Sequence, residues 1–159
     1  MRRFGFYEYS CLIWCVNIVL IILSYFINGL IYLAPLFFIA VLISYGGMIH
    51  MEKWKEHFGL DRIFKYSTTC SKTIALMSII YAFLNGFICG ISLFDGSPHI
   101  DNGVYCLWNH GFIREITKEE YDALMIVEGR LFIGYYLVFS AIPIVYFSAR
   151  KNILDSQRQ

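Results

Sequence analysis

The sequence predicts an all-α membrane protein, a four-transmembrane-helix bundle with a small extracytoplasmic β-hairpin between helices 3 and 4. Three observations carry that expectation. Of 159 residues, 58% are hydrophobic and only 16% charged, whereas a soluble domain is nearer half apolar with about a quarter of its residues charged. The charges leave long stretches empty, each of a length that suits a bilayer. One polar segment, 95–128, interrupts the apolar runs and carries hairpin signals followed by a helix start.

The first two spans come from one run. No Asp, Glu, Lys, Arg or His occurs between Tyr9 and Ile49. As a single helix that run would measure roughly 60 Å, about twice a hydrocarbon core, so it folds back once. Asn28-Gly29 is the turn signal, and Pro35 suits the start of a helix. The expected spans are 10–27 and 30–49. The charge-free run from Thr73 to Phe94 supplies the third, and the run from Leu131 to Ala149, entered from Gly129, supplies the fourth (129–149). Met1-Arg2-Arg3 has the look of a signal-peptide start. The apolar run has no small-x-small cleavage site, however, and continues into the second span, so a retained helix is expected. The whole chain, 1–159, reads as a single integral membrane domain.

Orientation follows from the cations. Arg2, Arg3, Lys53, Lys55, Arg62, Lys65, Lys72, Arg150, Lys151 and Arg158 fall on one side, and only Arg114, Lys118 and Arg130 on the other. The outer insert instead carries seven acids, from Asp95 to Glu128. Both termini are therefore expected in the cytoplasm, with 95–128 extracytoplasmic. The net charge of +1 says little, because the two faces are opposite in sign.

The five cysteines form no disulfide framework. Cys11 and Cys15 lie one helical turn apart but lack further ligands nearby, so they read as buried hydrophobes. After the second span, Met51, Trp54 and Phe58 recur at helical spacing, an amphipathic turn at the lipid surface that Gly59 should stop. Ile63, Phe64 and Tyr66 then return to the interface. His50 and His57 are seven apart and sit at the water boundary, where a solvated basic loop is the simpler reading than a cofactor site.

No acid or base lies inside any span, which removes the usual pointer to a proton or ion pathway. Asn17 and Asn85 are expected to hydrogen-bond across helices, since an unpartnered buried amide is costly. The third span carries a stripe of Ala75, Ser78, Ala82, Gly86 and Gly90. Gly86 and Gly90 form a GxxxG pair that permits either homo-oligomerisation or the seating of another span of the same chain, the latter favoured. Ala82, Asn85, Gly86 and Gly90 are thus the candidate packing residues.

The outer insert is the informative part. "DGSPHIDNG" reads as turn formers. "VYCLW" and "FIREI", joined by "NHG", read as two strands of a hairpin with Gly in the left-handed position. Val104, Cys106 and Trp108 should point one way and Tyr105 and Leu107 the other, with Phe112, Arg114 and Ile116 sharing a face. A lone hairpin is marginal in water, so it should rest on the helix ends or on lipid. Thr117-Lys-Glu-Glu120 is a capping box that starts the fourth helix at Lys118, well outside the membrane. Glu128 and Arg130, at the outer boundary, are ion-pair candidates, with Arg114 a further partner. His99, His110 and Asp101 match no zinc spacing, and no catalytic motif occurs. No catalytic residue, metal, cofactor or nucleic-acid partner is expected.

The segments "GSPHIDNGVYCLWNHG", "ITKEEY" and "EGRLFIGYY" resemble a loosely defined group of small four-span bacterial inner-membrane proteins. That group has an outer segment of the form GxPxxxxGxYxLxNHG followed by a TxxEY helix start. The resemblance covers roughly Gly96–Tyr136 and implies a bacterial envelope location and no particular activity. The favoured functional expectation is a non-enzymatic inner-membrane interaction protein. It would use Tyr105, Trp108, His110 and Arg114 to bind a periplasmic protein partner, with an immunity protein against an envelope-acting toxin as a special case. The alternative is a subunit of a small oligomeric transporter or channel, assembled through the Gly86/Gly90 face. An interfacial enzyme using His110, Arg114 and Glu128 ranks third.

Overall fold

The structure, a computed structural model, describes residues 5–27, 33–54, 59–109 and 111–156. Helix α1 spans Phe6–Ser24, and the carboxylate of Glu8 in its first turn accepts from the Gly5 N–H at 3.1 Å. An acid there satisfies an otherwise orphaned donor and suits the positive end of the helix dipole. The helix stops at Ser24 rather than at Ile27, because Tyr25 and Phe26 close 3₁₀-type bonds onto Ile22 and Leu23. Asn28-Gly29 lies outside the described residues. Helix α2 runs Ala34–Trp54, with Pro35 in its first turn, where the missing N–H costs nothing.

Among the described residues, three helices are long and apolar enough to cross a membrane: α1, α4 (Thr69–Ser92) and α5 (Lys118–Ser156). The apolar part of α2, Pro35–His50, is shorter. The expected four spans are thus matched by three helices of spanning length and one shorter apolar helix among the described residues. The second apolar run is shortened at one end by the late helix start and at the other by His50 and the charges that follow it.

The segment after Gly59, read as an irregular return to the interface, is a short helix, α3 (Leu60–Tyr66). The Asn152 side-chain amide on α5 donates to its terminal Tyr66 carbonyl at 2.7 Å. Helix α4 starts at Thr69, four residues before the charge-free run. Its N-cap Thr68 accepts from the Ser71 N–H at 3.2 Å.

Helix α5 is the hub. It packs against α1, α2, α3 and α4, and it is much the most buried of the long helices. From Pro143 to Ala149 it is buried all round, as expected of a helix at the centre of a bundle. Its 39 residues make a rod of roughly 58 Å that outruns the bilayer at both ends. Phe6 on α1 stacks on Phe147 near one end, at 5.6 Å. Near the other end, Ile21 packs with Ile133 and Leu137 in the apolar core.

Two helices face this hub with matching stripes. Ser10, Asn17 and Ser24 on α1, and Ser71, Ser78 and Asn85 on α4, are each spaced seven apart and all buried. A spacing of seven keeps one face turned to one neighbour. Lipid is as apolar as leucine, so association inside a bilayer depends on close packing and not on hydrophobic drive. Serine suits this because its hydroxyl bonds to its own helix and needs no partner across the gap. Ser10 donates to the Phe6 carbonyl at 2.8 Å, Ser24 to Ile21 at 2.7 Å and Ser78 to Ile74 at 2.8 Å. Ser78 also accepts from the Trp14 indole of α1 at 2.9 Å.

Outside the helices, the expected two-stranded hairpin is a three-stranded antiparallel sheet, β1 (Ser97–Asp101), β2 (Val104–Trp108) and β3 (Phe112–Glu115), in sequence order. The "turn former" string contains β1. Its true turn is Asn102-Gly103, with φ 49° and 85°, flanked by the Asp101–Val104 pair. Positive φ at both central residues makes this a type I′ hairpin, for which Asn-Gly is the favoured pair. The NHG connection does join β2 to β3, with the Asn109 N–H donating to the Gly111 carbonyl at 3.0 Å. Positive φ, however, lies at the other turn. The register slips between Leu107 and Trp108, giving β3 one extra residue. That bulge interrupts the alternation expected to place Phe112 and Arg114 on a shared face.

Candidate functional site

The sheet docks on the N-terminal end of α5 through one face. Pro98 and Leu107 are buried there, and the ring of Tyr105 meets that of Tyr121 at 4.9 Å. Burying the Leu107 side chain alone contributes about 1.5–3 kcal/mol. The chain is tied a second time where it enters the helix. The Ile116 N–H donates to the Tyr105 carbonyl at 2.9 Å, and Thr117 caps α5 by accepting from the Glu120 N–H at 3.2 Å. The Thr117 cap thus starts the helix at Lys118, as the spacing implied, while the Glu120 carboxylate is taken by Arg114.

The four residues expected to bind a partner divide. Tyr105 is half-buried against Tyr121 and serves the docking. Arg114 grips Glu120 through both guanidinium nitrogens, with Nη1 to Oε2 at 3.2 Å. This hydrogen-bonded pairing holds the Glu120 carboxyl below its ordinary range. Arg114 therefore closes the joint between β3 and α5. Trp108 is 42% exposed, with its ring 5.5 Å from that of His99. His110 lies outside the described residues.

The open face of the sheet thus has a different membership from the one expected. Cys106 is fully buried at its centre, its thiol directed at the His99 carbonyl at 3.6 Å. Around it on the same face Trp108, Val104 and His99 are exposed. Ile100, which pairs with Tyr105 on the docked face, escaped the sequence reading because the segment before Asn102 was taken for turn, whereas Val104 was expected beside Cys106 and Trp108. The Asn-Gly dipeptide between two short runs was the signal that marks both strands.

Below the sheet, Arg130 joins three helices. Its Nη2 donates to the Ser24 carbonyl at the end of α1 at 2.9 Å, and its guanidinium lies 4.5 Å over the Tyr25 ring. Its own carbonyl accepts from the Asn85 amide of α4 at 3.1 Å. A cation at a helix C-terminus meets the negative end of the dipole and an orphaned carbonyl. The expected ion pair does not form: among the described residues Glu128 has no salt bridge, and Arg130 is occupied by α1.

Asn85 bonds across helices, but Asn17 does not. Both Asn17 amide atoms are buried without a hydrogen-bond partner among the described residues. At this level Trp14, Ile18 and Ile21 of α1 join Ile133 and Leu137 in the apolar core, which offers the amide no acceptor. The small-residue stripe also splits. Ala82 is buried, and a side chain at Gly86 would touch Tyr135 and Leu131 of α5, whereas Gly90 is exposed with nothing near it. The position that most needs glycine is one the stripe did not include. A Cβ at Gly134 would overlap the Asn85 amide.

Among the described residues, no three His, Cys, Asp or Glu stand together as a metal site, and all five cysteines are free thiols. Comparison with family models, curated proteins and solved structures finds no match.

Proposed function

We propose that the protein is an integral inner-membrane interaction protein of bacteria that recognises a periplasmic protein partner through the open face of its outer sheet. The observation that supports this reading is a sheet held to α5 by Tyr105, Leu107 and Arg114 that leaves Trp108 and Val104 in water around Cys106 on its other face. A rigid aromatic anchor ringed by smaller apolar groups is the composition of an interface hot spot. The distribution of Lys and Arg, the apolar helices and the motif resemblance support the location.

In this reading the chain crosses the bilayer four times, with both termini cytoplasmic. Helix α2 lies alongside α1 and α5: the Phe38 ring meets Tyr136 at 5.4 Å, and a side chain at Gly47 would strike Phe6. An apolar helix of about 16 residues is short for a bilayer. A short span is accommodated by local thinning at modest cost.

Immunity against a toxin acting at the envelope is the special case that the geometry suits. The protein carries an outward recognition platform and no ionisable group in its charge-free runs. The test is a challenge of cells lacking the protein and cells restored with wild type, Trp108→Ala or Val104→Ala. The expected result is sensitivity on deletion, and protection restored by wild type but weakened by either variant at equal membrane abundance. Unchanged kin competition and toxin sensitivity on deletion would overturn the immunity reading.

A further inference from the structure

An apolar groove lies on the α3 side of the molecule. There α2 and α4 diverge over α5 and leave a groove of about 440 Å³. Met48 of α2 forms one wall, Ala75 and Ile79 of α4 the other, Ile142 of α5 lies exposed between them, and Phe64 of α3 closes the cytoplasmic end. Lys72, at the start of α4, is the one charged residue of the lining among the described residues. From Lys72 to Ile79 the groove runs roughly 10 Å along α4, the scale of the upper part of one leaflet's hydrocarbon.

We infer that this groove holds one acyl chain of an anionic phospholipid of the cytoplasmic leaflet. The order of polarity along it is that of an amphiphile, with a cation at the mouth and only apolar groups below. The mouth lies beside α3, where Arg62 and Lys65 stand with one acid, Asp61. Lys72 is exposed and positioned for a phosphate, and a juxtamembrane cation of this kind favours anionic lipid. The inference rests on the membrane reading above but needs no partner at the outer face.

The test uses full-length protein in nanodiscs doped with phosphatidylglycerol or phosphatidylcholine bearing a photoreactive diazirine in one acyl chain. Insertion is checked separately by resistance to alkaline extraction, so failure to span the membrane is distinguished from failure to bind lipid. Labelling is expected on peptides containing Phe64, Ala75 and Ile142, with phosphatidylglycerol preferred by about fivefold. Lys72→Gln should level the two lipids. Ile142→Trp, at a lipid-exposed position that the fold does not depend on, should fill the groove and reduce labelling by both. Equal labelling of the two lipids by wild type, or no effect of Ile142→Trp, overturns the inference. A cross-link between two copies across the groove overturns it as well, by showing a second chain there instead.

Discussion

Asn85 of α4 reaches into the space that a side chain at Gly134 of α5 would fill, and its amide donates to the Arg130 carbonyl at 3.1 Å. The two residues form one device: the missing Cβ admits the amide, and the amide fastens the helices.

Gly134→Ala should therefore destabilise the bundle by about 1–3 kcal/mol, the usual cost of overfilling a packed site. In an Asn85→Ala background the same change should become neutral or favourable, because alanine is the better helix former by roughly 0.5–1 kcal/mol. A double-mutant cycle on thermal unfolding in detergent measures the coupling. Simple additivity would refute the relationship.

Arg130→Gln should free the outer end of α1, since it removes the cation from the Ser24 carbonyl and the Tyr25 ring. The expected loss is about 1–2 kcal/mol. Hydrogen exchange should quicken in the last turn of α1 more than in its first, and Arg130→Lys should recover only part of the protection.

At the type I′ turn, Gly103→Ala puts a Cβ on a backbone with φ 85°. That should cost about 1–2 kcal/mol locally, while Asn102→Gly is tolerated. The readout is hydrogen exchange in β1 and β2. Equal exchange in the two variants would argue against the turn assignment.

The Arg114–Glu120 joint should respond to acid and salt. Glu120 has a depressed pKa in the folded protein. Its contribution is fully present above the ordinary glutamate value, about 4.3, and is lost as pH falls through the lower folded value. Protection of β3 should follow that course in wild type and be flat in Glu120→Gln. Both groups are exposed, so the effect should shrink at about 1 M salt.

Thr117→Ala removes the cap that accepts from Glu120 N–H, at a cost of about 1 kcal/mol. Fraying should be confined to the first turn of α5. Loss of the transmembrane part would contradict a cap of only local reach.

Much of the architecture was legible because the bilayer imposes a length on apolar runs, and Lys and Arg mark their ends. The start of α5 was legible from four residues, because a capping box is a local chemical pattern. The third strand was lost because Pro98, Asp101 and Asn102 were weighed as turn formers one by one. Ile100 was not recognised as the cross-strand partner of Tyr105, nor Asp101 as that of Val104 across the Asn102-Gly103 turn.

The sequence by itself determined the composition of the apolar helices, the polar outer insert and the place where α5 begins, since each depends on residues near one another in the chain. Only the tertiary structure decided that α5 is the hub and that Gly134, rather than Gly90, is where the helices come closest. It also set Tyr105 against Tyr121 and Arg114 against Glu120, and left Trp108 exposed. Those outcomes depend on which faces meet, and facing partners such as Asn85 and Gly134 are set by packing across the bundle, which no local spacing encodes.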